Sequence, residues 1–151
     1  MSLEKYREKR ALTGSPEPMS ADRQKTNSKK HIFVVHEHHA SHLHWDLRLQ
    51  IRGVLKSWAV PKEPPRSKNM KRLAIQVEDH PMSYADFEGT IPEGHYGAGE
   101  VRIWDKGELN VIEIDDKKII FELRGRRLLG RYCLIKANLG GEDKNWLFFR
   151  I

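Results

Sequence analysis

The chain has a single cysteine, Cys133, among its 151 residues, so an internal disulfide is excluded. No apolar run approaches the roughly 18 residues of a membrane span, and hydrophobic residues make up only 38% of the chain. The opening residues Met1-Ser2-Leu3-Glu4-Lys5-Tyr6-Arg7 lack the apolar core of a signal peptide. Together these absences predict a polar cytoplasmic protein that does not associate with membranes. No lysine follows a glycine-rich loop in the Walker manner, and no repeat or low-complexity segment is present. Beyond residue 30 no helical periodicity lasts longer than ten residues, which excludes a helical bundle or a doubly wound fold.

What is present begins with charge. Lys and Arg number 27 against 21 Asp and Glu, a formal net charge of +6. This excess points to a polyanionic partner, nucleic acid before membrane. Residues 1–30 read as a basic N-terminal arm, with a short helix over residues 3–12 and an extended stretch after Pro16 and Pro18. Residues 31–151 read as one β domain. Alternating or apolar runs recur near 32–36, 43–52, 54–60, 73–78, 100–104, 108–114, 117–123, 130–136 and 146–150. Asp105-Lys106-Gly107 and Asp115-Asp116 read as tight hairpin turns, and residues 138–145 as a longer one. This spacing predicts an all-β fold of about eight short strands, an antiparallel barrel or sandwich. Residues 61–72 and 80–99 read as long loops, of the kind that carry function.

Six of the eight histidines lie between residues 31 and 44. They surround the run Leu43-His44-Trp45-Asp46-Leu47-Arg48-Leu49-Gln50-Ile51-Arg52, which alternates strictly. Leu43, Trp45, Leu47, Leu49 and Ile51 share one strand face, directed to the core. His44, Asp46, Arg48, Gln50 and Arg52 share the other. An imidazole and a carboxylate two residues apart suit Mn²⁺, Zn²⁺ or Fe²⁺, and a second histidine would complete a facial set. His42 qualifies by alternation; His38 or His39 qualifies from a preceding segment; His36 sits at the end of a strand. The arginine next along the row matches phosphate oxygens in bidentate fashion. A metal beside an arginine stabilises phosphoryl-transfer transition states. The competing reading is a solvated strand face on which Asp46 and Arg48 simply pair.

A second group, His80 and Tyr84, follows the strand at 73–78, where such residues bind a substrate or give up a proton. Gly94-His95-Tyr96-Gly97-Ala98-Gly99 is not a dinucleotide fingerprint, because strand rather than helix follows it. Cys133 reads as a buried packing residue. Trp45, Trp58, Trp104 and Trp146 read as core.

The run from Phe33 through His36, His38, His44, Asp46 and Arg48 to Leu49, then Gly53-Val54-Leu55-Lys56-Ser57-Trp58-Ala59-Val60-Pro61-Lys62, resembles the 3′-phosphoesterase domain of bacterial DNA ligase D and its free-standing archaeal relatives. Leu73-Ala74-Ile75-Gln76-Val77-Glu78-Asp79-His80-Pro81, Tyr84-Ala85-Asp86-Phe87-Glu88-Gly89, Ile91-Pro92-Glu93-Gly94-His95-Tyr96-Gly97-Ala98-Gly99 and Trp104-Asp105 extend the likeness in order. The resemblance covers residues 1–151 and fits the stand-alone form. It implies a β-barrel hydrolase that is manganese-dependent, with Co²⁺ or Zn²⁺ as other candidates, and that trims DNA 3′ ends in break repair by non-homologous end joining. One activity removes a terminal ribonucleoside and leaves a 3′-phosphate; the other removes that phosphate. His38, His44 and Asp46 would hold the metal. Arg48, His80 and Tyr84 would hold or protonate the scissile phosphate, and Arg10 and Glu17 match two positions of the family's arm. An aspartate expected beside that arginine is Ala11 here, and the family often has glutamine at His36. The implied partners are primer–template 3′ ends and a separate ligase or polymerase, with the chain a monomer. Two alternatives stand beside this. A cupin-like oxygenase is suggested by the His42/His44 pair, but no histidine follows His95. A non-catalytic basic barrel leaves the His44-Asp46-Arg48 row unexplained.

Overall fold

The computed structural model describes Leu3, Lys5, Tyr6 and residues 31–137 and 141–151. Leu3, Lys5 and Tyr6 have helical backbone; the rest of the expected arm, including Arg10 and Glu17, lies outside the described residues. Nine strands follow: β1 His31–His39, β2 Leu43–Ile51, β3 Val54–Val60, β4 Lys71–His80, β5 Gly89–Ile91, β6 Gly99–Ile114, β7 Lys118–Arg124, β8 Leu129–Lys136 and β9 Asn145–Arg150. Their order is β1-β2-β3-β4-β9-β8-β7-β6, and β1 pairs with β6 to close an eight-stranded barrel, all neighbours antiparallel. The short β5 adds to the edge of β6. Among the described residues no helix is long and apolar enough to cross a membrane.

Alternation sorts the side chains. Phe33, Val35, Leu47, Leu49, Trp58, Phe121, Leu123, Tyr132, Leu134, Trp146 and Phe148 fill the barrel interior. Each such burial stabilises the fold by roughly 1.5–3 kcal/mol. A second cluster of Tyr6, Val34, Leu55, Tyr84 and Ala85 lies on the other face of β1 and β3. It packs the 3-10 helix Met82–Asp86 onto the outside of the barrel. The long segment 80–99 is therefore largely ordered, and it includes a strand that the sequence pattern does not announce. Cys133 is buried on β8, as expected. Leu43, expected on the core face, is exposed, because β2 begins there at the barrel's rim. Trp104 is half-buried between the guanidinium groups of Arg66 and Arg127, at 5.3 and 4.9 Å from its ring centre.

The expected turn at Asp105-Lys106-Gly107 is not a turn. These residues lie inside β6, which runs unbroken for 16 residues. Their turn-like chemistry serves a neighbour. Asp105 accepts hydrogen bonds from the backbone N–H groups of Arg126, Arg127 and Leu128 at 2.9, 3.1 and 2.8 Å, and so ties down the β7–β8 connection. Gly107 is required by close approach: a Cβ there would lie 2.0 Å from the Arg124 carbonyl oxygen. The register between β1 and β6 also steps past Trp104, a bulge that bends the strand. Asp105→Ala leaves these three backbone donors, and that of Lys106, without their carboxylate. It should lower unfolding free energy by about 3 kcal/mol, read as a lower urea midpoint with an unchanged slope.

Candidate active site

The site is built on the outer face of β1, β2 and β3. Register places His38 directly opposite His44 and His36 opposite Asp46 across the β1–β2 pair. Arg48 lies opposite Ser57 across β2–β3. The three-residue link 40–42 makes the first hairpin. Because all these residues occupy the outward positions of their strands, their side chains converge on one cavity. It measures about 320 Å³ and is lined by His38, His44, Asp46, Arg48, His80 and Tyr84, with Glu78 beside them.

His38, His44 and Asp46 each offer one donor atom, and these atoms lie within 4.8 Å of one another. The second nitrogen of each ring is occupied by a backbone carbonyl. His38 Nε2–H donates to Gly97 at 2.8 Å, and His44 Nδ1–H donates to His42 at 3.2 Å. That sets the tautomers and turns His38 Nδ1 and His44 Nε2 toward the Asp46 carboxylate, at 3.7 and 3.2 Å. Carbonyl-anchored imidazoles of this kind are the usual support for metal ligands. Two imidazole nitrogens and a carboxylate oxygen fit a borderline divalent ion such as Mn²⁺, Co²⁺ or Zn²⁺.

Asp46 is buried, which raises a carboxyl pKa. The guanidinium of Arg48 outweighs this, with help from His38 and His44, and holds it well below the ordinary range. For His44, burial disfavours the charged ring, but the hydrogen bond and charge of Asp46 prevail and raise its pKa. Below that raised pKa, a metal ion bound at His44 would displace a proton. Apparent metal affinity should fall roughly tenfold per pH unit below that raised pKa. Calorimetry in two buffers of different ionisation enthalpy at pH 6 should show proton release on metal binding.

Arg48 is buried and pinned. Its Nε donates to His36 Nδ1 at 3.0 Å, Nη1 to Ser57 Oγ at 2.9 Å and Nη2 to Asp46 Oδ2 at 3.3 Å. Its guanidinium also covers the Tyr84 ring, 4.7 Å from the centre. Among the described residues, three of its five N–H groups are thus spent on orientation, and two are left for a substrate oxygen. His36 is the supporting group whose part the sequence leaves open. Fully buried, it donates from Nε2 to the Phe87 carbonyl at 3.0 Å and accepts from Arg48 on Nδ1. Burial and then the charge of Arg48 push its pKa down to about 3, so it is neutral.

His80 Nδ1–H donates to the Glu78 carbonyl at 3.0 Å, which fixes the orientation of the ring. The ring is clasped edge-on by Tyr6 and Tyr84, each with its centre 4.7 Å away. All six cavity-lining residues expected from the sequence therefore meet. His42 is exposed and contributes only its carbonyl, while His39 pairs with Glu37 at the surface. Pairing within the row is also real, since Arg48 does meet Asp46; it is part of the site rather than an alternative to it. Ser57 was legible from the hairpin register around Gly53. Tyr6 and Gly97 were not, because no local pattern marks them.

On this antiparallel β-barrel, a two-histidine, one-carboxylate cluster that could hold a metal ion lies beside a buried, oriented arginine. The family model of the DNA ligase D 3′-phosphoesterase domain matches residues 36–136. The chain is 44% identical over 98% of its length to the multifunctional non-homologous end joining protein LigD of Pseudomonas aeruginosa, of which it covers 18%. Over 99% of its length it is 43% identical to the multifunctional non-homologous end joining DNA repair protein LigD of Mycobacterium tuberculosis, and 42% identical to LigD of Mycolicibacterium smegmatis; it covers 20% of each. The chain belongs to the DNA ligase D 3′-phosphoesterase domain family. It spans about a fifth of the length of these relatives.

Proposed function

We propose that the chain is a metal-dependent phosphoesterase that heals DNA 3′ ends during break repair by non-homologous end joining. It would remove a 3′-terminal ribonucleoside to leave a 3′-phosphate, and hydrolyse that phosphate to a 3′-OH. The observation that carries this reading is the position of Asp46. One oxygen faces His44 and the other faces both His38 and Arg48, so a single carboxylate joins the metal-donor set to the phosphate-binding cation. Family membership supports the phosphoesterase class.

His38, His44 and Asp46 would hold the ion, Mn²⁺ by preference and Co²⁺ or Zn²⁺ otherwise. The ion would supply Lewis-acid polarisation of a phosphate oxygen. Arg48 binds a second oxygen through its remaining N–H groups, with the Tyr84 ring holding the guanidinium plane. Water adds to phosphorus as the P–O bond to the departing group breaks. His80, protonated on both nitrogens, passes its Nε2 proton to the oxygen that leaves. Arg10 and Glu17 of the arm are candidates for further substrate contacts, Arg10 to a phosphate and Glu17 to the ribose 2′-OH. The substrate is a primer–template 3′ end, and a ligase or polymerase acts on the product. Basic segments, the arm and residues 61–72, would add phosphate affinity that falls with salt.

The test is a 5′-labelled primer–template whose primer ends in one ribonucleotide, incubated with Mn²⁺ or with EDTA, wild type beside His44→Ala. Stepwise shortening to a 3′-phosphate and then a 3′-OH, lost with EDTA and with the variant, is the expected result. A primer that is shifted on a gel yet never shortened would replace this reading with a non-catalytic binding barrel.

A further inference from the structure

The link between β5 and β6, residues 92–98, contains the glycine-rich stretch that the proposed chemistry leaves unused. Two turns shape it, with His95 N–H donating to the Pro92 carbonyl and Ala98 N–H to the His95 carbonyl, both at 3.2 Å. It is anchored just after Tyr96, at Gly97 and Gly99. The Gly97 carbonyl takes the Nε2–H of the proposed metal ligand His38. Further along, Gly99 has φ +134°, and a Cβ there would lie 2.2 Å from the His39 carbonyl oxygen. The loop is thus pressed against β1. The ring it carries, Tyr96, lines the wall of the 320 Å³ cavity while remaining 42% exposed.

The cavity's lining is of two kinds. Charged groups and imidazoles cluster around Asp46, whereas Ala40, Ile91 and Tyr96 supply apolar wall. Ala40 and Gly97 are shared with a neighbouring concavity lined by His39, Ser41 and Glu93. Arg48 is buried and Tyr96 is exposed on the wall of the same cavity, so a group attached to a phosphate bound at Arg48 would meet Tyr96 toward solvent. A cavity at the small end of ligand sites takes a phosphate and its sugar and leaves the base at the rim. An aromatic face at that rim suits any base, because every base has a π-face.

We propose that Tyr96 is the stacking platform for the base of the terminal ribonucleoside, and so sets preference for nucleoside-bearing ends. This rests on the phosphoesterase reading. The test compares wild type, Tyr96→Phe and Tyr96→Leu on primer–templates ending in a ribonucleotide or in an abasic ribose. On the base-bearing end, Tyr96→Leu should raise KM roughly ten- to a hundredfold, the range of base–aromatic stacking, with kcat little changed. Tyr96→Phe should behave as wild type. On the abasic end, Tyr96→Leu and wild type should converge. A penalty of equal size on both ends, or none on either, overturns the stacking role while the phosphoesterase reading stands. A wild type that cleaves neither end overturns that reading, and this inference with it.

Discussion

Asp46→Asn should abolish high-affinity Mn²⁺ binding and lower 3′-end cleavage by on the order of a thousandfold, the scale of losing preorganised charge stabilisation of a transition state. The substitution keeps the shape of the side chain and an acceptor for Arg48, so it isolates charge. The carboxylate is the only anion in the proposed donor set. It also neutralises Arg48 at 3.3 Å, and it orders the two imidazoles that flank it. Asp46→Ala is a harsher change. Like asparagine it leaves the buried guanidinium of Arg48 without a counter-charge, but it also removes the acceptor and the side-chain volume, and removing one partner of a buried pair outright costs about 3–5 kcal/mol. Stability and catalysis are then confounded, and asparagine is the informative variant. Titration calorimetry with Mn²⁺ and the labelled-primer assay read the two effects separately. Wild-type metal affinity in Asp46→Asn would show that the ion, if any, binds elsewhere.

This site was legible because strand alternation is a local property. Once Leu47 and Leu49 are assigned to the core, His44, Asp46 and Arg48 must share the opposite face, as they do. The choice among His36, His38, His39 and His42 was not local. It is made by the β1–β2 register, which sets His38 opposite His44 and puts His36 one pair further in, behind Arg48. Alternation alone admitted His42, yet that residue sits in the hairpin link and is exposed. Strand count left barrel and sandwich open, and the family resemblance implied the barrel; neither announced the length of β6. Asp105 and Gly107 carry turn chemistry because the adjacent β7–β8 connection needs a carboxylate and a passage for its backbone. The fold therefore resolves a pattern that is ambiguous in one dimension by supplying its partner from 20 residues away.

His36→Gln should make the protein less sensitive to acid than the wild type, with little change in neutral-pH stability. In the folded chain His36 stays neutral down to a pKa of about 3, against 6.5 for an unburdened ring. The unfolded chain therefore takes up a proton that the folded chain refuses throughout that interval. The stabilisation from keeping this ring neutral is complete above about pH 6.5. It is lost as pH falls toward 3, at roughly 1.4 kcal/mol per unit for one proton. Between pH 7 and pH 4.5 the loss attributable to His36 is about 2–3 kcal/mol. Glutamine has no proton to gain in either state. Its amide can still donate to the Phe87 carbonyl and accept from Arg48 Nε, the two bonds that His36 makes. Glutamine should thus preserve the placement of Arg48, and with it turnover at neutral pH, while removing the slope. Urea unfolding of both proteins at pH 7 and 4.5, with EDTA present to suppress metal linkage, measures the difference. The variant should gain about 2–3 kcal/mol on the wild type between the two pH values. Parallel losses in the two proteins would mean that His36 is protonated in the folded state, and that Arg48 owes its position to Ser57 and Asp46 alone.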